Sequence, residues 1–331
     1  MKVTEFFRMS AKFVARGATI SAFCVCASLA AAAPTPTIEQ LQHIWGASMA
    51  RTPVPGEGCF TADYPSRSWT VVACTTAPNH RYGPVHGASG YTVGDGNDYA
   101  VSTSGLFTAS VGSFPAVKGV TLEEDGTIAN NYSLQLNSQF FSGSPACAKA
   151  AVPANCLAWQ QFVFAEQGSG IAFMQYWLIN YVSKCPGGWM TSGDDCYRNS
   201  NAVAVPPQPI AQLKHLIVTA TVGGGKDTMA LTTKTHVYSA TGKDSVVELG
   251  EFWNASEFNI FGDGDGTAAT FNAGPSIEVD IQEEDGTTNA PTCKGNSGTT
   301  AETNNLTLSK KCKTFGVVDG AAPHATFTET N

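Results

Sequence analysis

Between residues 91 and 282 the chain reads strand, turn, strand, with no helical stretch between, and this limits the fold more than any other feature. Tyr132-Ser133-Leu134-Gln135-Leu136-Asn137 alternates at the period of two expected of a strand with two different faces. Residues 101–111 alternate as well, and Glu124-Asp125-Gly126 supplies a turn. Residues 157–164 and 172–181 are the most apolar and aromatic runs and predict central strands covered on both faces. Residues 216–222 and 228–233, joined through Gly223-Gly224-Gly225-Lys226-Asp227, predict a hairpin. Further strands are predicted over 69–74, 245–252, 268–271 and 276–282. Many short strands at this spacing favour a sandwich or a barrel.

The flanks differ from this central run. Residues 1–33 have the pattern of a secretory signal: Lys2, Arg8, Lys12 and Arg16, then an apolar stretch from Ala18 to Leu29, then Ala30-Ala31-Ala32-Ala33. That apolar stretch is shorter than the ~20 residues a spanning helix needs. The segment holds four of the 19 Lys+Arg and one of the 27 Asp+Glu, which leaves 15 against 26 in the mature chain. So acidic a chain is a poor partner for nucleic acid or anionic membranes. Thr37-Ile38-Glu39-Gln40 is a capping box, and Ile38, Leu41, Ile44, Trp45 and Met49 follow at helical spacing, so a short N-terminal helix is expected. Residues 34–90 read as an N-terminal appendage, 91–284 as the β-domain, and 285–331 as a polar C-terminal extension.

Eight cysteines remain once Cys24 and Cys26 leave with the leader, and an even number in an exported chain argues for disulfides. Spacing suggests Cys59 with Cys74, Cys147 with Cys156, Cys185 with Cys196, and Cys293 with Cys312. Each bridge would close a short loop, worth roughly 2–4 kcal/mol. Localisation outside the cytoplasm, extracellular or periplasmic, follows from leader and cysteines together.

The chain has no G-x-S-x-G elbow, no H-E-x-x-H helix and no Walker A loop. The turns Phe261-Gly262-Asp263-Gly264-Asp265-Gly266 and Gly94-Asp95-Gly96-Asn97-Asp98 are acidic, but neither completes an EF-hand, and Asp and Gly suit tight turns as such. No metal or organic cofactor is implied. What remains is a set of Gln and Glu residues within aromatic runs: Trp159-Gln160-Gln161-Phe162, Met174-Gln175-Tyr176-Trp177, and Glu248-Leu249-Gly250-Glu251-Phe252-Trp253. A carboxyl buried among rings resists ionisation and could act as acid or base, and a nearby amide could donate to an oxyanion. The same residues could equally be polar positions on a solvated sheet face.

These stretches resemble the glutamic peptidases (eqolisins) and the related neprosin domain. The segment from Ser104 to Pro115 resembles an early eqolisin strand pair. Phe173-Met174-Gln175-Tyr176-Trp177 followed by Cys185-Pro186-Gly187-Gly188-Trp189 is similar to the neprosin aromatic strand and its cysteine loop. Residues 250–258 resemble a late neprosin segment. The resemblance implies an all-β, two-sheet antiparallel sandwich (concanavalin-like jelly roll) with its site on a concave sheet face. It also implies a Gln/Glu pair in which Glu activates water and Gln stabilises the tetrahedral intermediate. Carried onto this chain, the Gln is Gln160, with Gln161 second, and the Glu is Glu251, with Glu248 second. Matching the Gln strand needs a shift of one residue, and such a shift decides which face Gln160 occupies.

The expected function is therefore a secreted endopeptidase acting at acidic pH on polypeptide. Two alternatives stay open. One is a non-catalytic module that binds extracellular glycan or another surface through Trp159, Tyr176, Trp177 and Trp253. The other is a carbohydrate-cleaving enzyme with two carboxylates facing one groove.

Overall fold

The computed structural model describes residues 35–84, 98–295, 299–318 and 320–331. The expected leader over 1–33 and residues 94–97 of one acidic turn lie outside them. Thirteen strands carry the architecture: β1 (Cys59–Asp63), β2 (Tyr99–Ser102), β3 (Ala109–Lys118), β4 (Asn131–Ser138), β5 (Leu157–Gln167), β6 (Gly170–Ile179), β7 (Asp195–Asn199), β8 (Ile217–Gly223), β9 (Lys226–Thr232), β10 (His236–Lys243), β11 (Ala255–Gly262), β12 (Ser276–Glu284) and β13 (His324–Thr330). The first sheet runs β1-β10-β9-β8-β3-β12-β13, with Thr70–Val72 and Thr307–Leu308 at its edges. The second runs β7-β6-β5-β4-β11-β2, with Met190–Ser192 and Thr292–Gly295 at its edges. Neighbours in both sheets are antiparallel, and the two pack face to face as the expected sandwich.

Alternation fills the space between the sheets. Phe162 and Phe164 of β5, Met174 and Tyr176 of β6, and Phe258 and Ile260 of β11 meet Phe114, Val218, Leu231 and Val279 from the opposite sheet. Strands from both flanks belong to these sheets: β1 lies within 34–90 and hydrogen-bonds β10, and β13 lies within 285–331 and hydrogen-bonds β12. All four nearest-neighbour disulfides form.

The hairpin between β8 and β9 turns at Gly224-Gly225, both with φ positive at 60° and 75°, as a primed two-residue turn requires. Thr37 caps the helix Ile38–Ala50, and its bond with the Gln40 amide and the return bond from Gln40 are both present. Of the expected apolar face, Trp45 and Met49 are buried, whereas Ile38, Leu41 and Ile44 are exposed. Two strand expectations need correcting. Residues 101–111 hold the end of β2, a connection and the start of β3, and residues 245–252 form two short 3-10 turns, Asp244–Val246 and Leu249–Glu251. Among the described residues, no helix is long and apolar enough to cross a membrane.

Candidate active site

Strand parity decides where each candidate side chain goes. Phe162 and Phe164 face the other sheet, so Gln160 does too, and Gln161 points to the opposite face. Gln160 is fully buried inside the sandwich, where its Nε2 donates to Asp227 Oδ2 at 2.9 Å. Burial raises the Asp227 carboxyl well above its ordinary value, and the Gln160 bond acts against that rise. Glu251 is at the surface, on a 3-10 turn and not on a strand, and Glu248 before it has a left-handed backbone at φ 60°. The structure does not bring Glu251 or Glu248 to Gln160 in a shared groove; Gln160 is a structural partner of Asp227.

The opposite face of the second sheet holds a different constellation. Register places Asn199, Gln175, Gln161, Asn137 and Glu257 directly opposite one another on β7, β6, β5, β4 and β11. Five adjacent strands thus carry a straight row of amides that ends in a carboxyl group. Adjacent strands lie about 4.8 Å apart, so two strand spacings, about 10 Å, separate the backbones of Gln161 and Glu257. Their side chains are connected. Asn137 Nδ2 donates to Glu257 Oε1 at 2.7 Å and to Gln135 Oε1 at 3.3 Å, and Gln161 Nε2 donates to the same Gln135 oxygen at 3.0 Å. The indole N–H of Trp177 is shared between Gln161 Oε1 at 3.1 Å and Gln175 Oε1 at 2.9 Å. This fixes both amides in one orientation, oxygen toward the indole and nitrogen away from it.

Glu257 is 2% exposed, and desolvation raises its pKa, opposed by the bonds from Asn137 and Thr299. Its Oε1 accepts from Asn137 and from Thr299 Oγ1 at 2.7 Å. Around this row lie further acids. Burial lifts Glu302 to about 7, against bonds from Thr300 and Gly266, and lifts Asp263 to about 6, against a bond from Tyr82. Tyr82 Oη donates to Asp263 Oδ1 at 2.6 Å.

Two crossing segments cover the face. One, through residues 80–84, passes over Gln175, whose side chain bonds Tyr82 N at 2.9 Å and His80 O at 3.0 Å. The other, through Thr299, passes over Glu257. They join at a bridge between Pro84 and Thr300 and by Ala301 N donating to Gly83 O at 2.8 Å. Chemically, the row joins a carboxyl that can exchange a proton with amide groups that can only donate or accept. That is a division of labour suited to a water-activating base and an oxyanion donor.

Sequence reading put Gln161 second and missed Glu257, Asn137, Gln135 and Glu302. The signal for Glu257 is its position one residue before Phe258 and three before Ile260, both core residues. Trp159, Tyr176, Trp177 and Trp253, the proposed glycan platform, are each 0–1% exposed and offer no stacking surface in this arrangement. The acidic turn at 261–266 behaves as a turn. Gly264, Asp265 and Gly266 all have positive φ, and Asp265 accepts from Arg81 Nε at 2.8 Å. No protein-family model matches the chain, and no curated protein matches it.

Proposed function

We propose that this chain is an exported endopeptidase of glutamic type, active in mild acid, with Glu257 as general base and Gln161 as the oxyanion donor. The observation that carries the reading is the row Gln175, Gln161, Asn137, Glu257, which ends in a buried carboxyl group on one sheet face. The four disulfides require an oxidising compartment, which agrees with export.

In the reaction, ionised Glu257 takes a proton from water as the water oxygen bonds to the peptide carbonyl carbon. The carbonyl electron pair moves onto its oxygen, which Gln161 Nε2 stabilises by donating an N–H. Glu257 then returns the proton to the amide nitrogen, the C–N bond breaks, and an acid and an amine leave. Under the cover, burial favours the protonated form of Glu257, the form that does not act as a base. Lifting the cover rehydrates the carboxyl and lowers its pKa toward the ordinary carboxylate range, so it ionises in mild acid. Asn137 is a positioning residue that aims the carboxyl along the row.

The test is hydrolysis of a denatured protein by the mature chain between pH 3 and 8, in the wild-type background and after Thr299→Ala. Glu257→Gln should reduce the rate by about a thousandfold and Gln161→Leu by about a hundredfold, as loss of a base or an oxyanion donor does elsewhere. Glu251→Gln should leave it unchanged. Activity that survives Glu257→Gln but vanishes with Glu251→Gln would refute the assignment.

A further inference from the structure

The segment over Glu257 sets a hydroxyl against its carboxyl and pairs with a neighbouring segment through one isolated bridge, much as a peptide substrate would. Thr299 Oγ1 is 2.7 Å from Glu257 Oε1, a distance at which a base meets the water it activates. The same hydroxyl reaches Ser138 O at 3.5 Å, on the strand carrying Asn137. Thr300 then pairs with Pro84 as in an antiparallel ladder, and Ala301 N–H is taken by Gly83 O at 2.8 Å. Thr299 is 6% exposed with its hydroxyl on Glu257, while the buried Thr300 hydroxyl turns to Glu302, so the face accepts a small hydroxyl side chain opposite Glu257. The run is tied on its C-terminal side and lies within a disulfide loop. Cys293 and Cys312 close a loop that contains it, Thr303 pairs with Ala268, and Asn304 Nδ2 donates to Ile260 O at 2.8 Å.

Resting on the peptidase reading of the Glu257 row, we propose that Thr299–Thr300–Ala301 is an internal pseudosubstrate. It marks the subsites of the cleft, and the substrate is a polypeptide with a small, hydroxyl-bearing residue opposite Glu257. The Pro84 segment acts as a docking strand, taking the substrate backbone through the Gly83 carbonyl that now accepts from the Ala301 N–H. Recognition through a strand edge gives affinity from backbone bonds and selectivity from alternate side-chain pockets. The disulfide loop sets a high local concentration of the inhibitory run, which is why a free substrate competes with it poorly.

The probe is a synthetic hexapeptide with the sequence of residues 299–304, Thr-Thr-Ala-Glu-Thr-Asn. Thr299→Ala removes the bond to Glu257, and Ala301→Pro removes the N–H given to Gly83. Each should raise hydrolysis of a denatured protein by about tenfold, the gain in open state that follows loss of one buried hydrogen bond. The hexapeptide added in trans should suppress the gained activity and bind the opened variants more tightly than the wild type. Thr299→Ala changes little volume and keeps the measurement possible where Ala301→Pro fails to fold. Opened variants that bind the hexapeptide and cleave nothing would support the pseudosubstrate subsites while sinking the peptidase chemistry. Opened variants that cleave protein but neither bind the hexapeptide nor are inhibited by it would overturn the pseudosubstrate and leave the chemistry standing. Faster exchange of the Ala301 amide without any gain in binding would overturn it as well.

Discussion

Gln160 and Gln161 are chemically identical neighbours, and the sheet assigns them to different environments. Gln160 donates to Asp227, whose carboxyl is fully buried. Gln160→Leu leaves that carboxyl short of a donor, so unfolding free energy should fall by about 1–3 kcal/mol, the usual penalty for stranding a buried polar group. The rate per folded molecule should not change. Gln161→Leu should show the reverse balance, with catalysis lost far more than stability. Urea titrations of both variants beside their peptide-hydrolysis rates decide the matter, and a slow but stable Gln160→Leu would restore Gln160 to the site. The sequence already contains this difference, because phase relative to Phe162 and Phe164 places the two amides. The resemblance obscured it: a one-residue offset in strand alignment exchanges the faces, and residue type alone cannot detect the exchange. Glu257 was hidden for a different reason. Its neighbour Glu251 has the same chemistry, and only the start of the strand at Ala255 separates a surface acid from a buried one.

At the scale of elements, the strands that alternate cleanly are legible and the irregular connections are not. β4, β5, β6 and the β8–β9 hairpin fall where periodicity puts them, since one face of each must be apolar. Residues 245–252 have strand-like composition, yet Asp244 accepts from Gly250 N at 3.0 Å, and the backbone of Glu248 donates to the Asp244 carbonyl at 2.6 Å. Local bonds of this kind compete with a ladder and coil the segment. Packing between β3 and β11 shows how tightly the site is supported. A Cβ added at Gly112 would lie 2.1 Å from the Phe258 ring, beside Glu257 on the same strand. Gly112→Ala should therefore cost about 1–3 kcal/mol by overpacking, read as a lower urea midpoint at unchanged m-value. Because the ring must move, its strand must adjust, and hydrolysis should weaken as well. An unchanged midpoint would mean the two sheets can separate locally at no cost.

Across the whole molecule, the buried acids dictate how stability responds to pH. Burial raises Asp263 to about 6, Glu302 to about 7, and both Glu123 and Glu329 to about 8. In each case the folded protein binds the proton more tightly than the unfolded chain, where such groups titrate near 4. The stability they contribute is fully present below the unfolded value and is lost as pH rises from about 4 through 8. Glu39 works in the other direction, lowered by its bond to Lys214, but it is exposed and its effect is small. The melting temperature should therefore fall by about 5 °C or more between pH 4.5 and pH 8, the scale expected for a chain of this size losing a few kcal/mol. Glu329→Gln isolates one contribution. Glu329 Oε1 accepts from Asn259 Nδ2 at 2.7 Å, and a glutamine oxygen can accept the same bond without titrating. The variant should match the wild type at pH 4.5 and melt higher than it at pH 8. Equal melting temperatures at both pH values would show that the buried acids find compensation in the folded state. A destabilisation of Glu329→Gln that is the same at pH 4.5 and pH 8 would show that Glu329 matters for packing and not for its proton. A molecule built this way is most stable in the acid range, the range in which the proposed peptidase reaction would run.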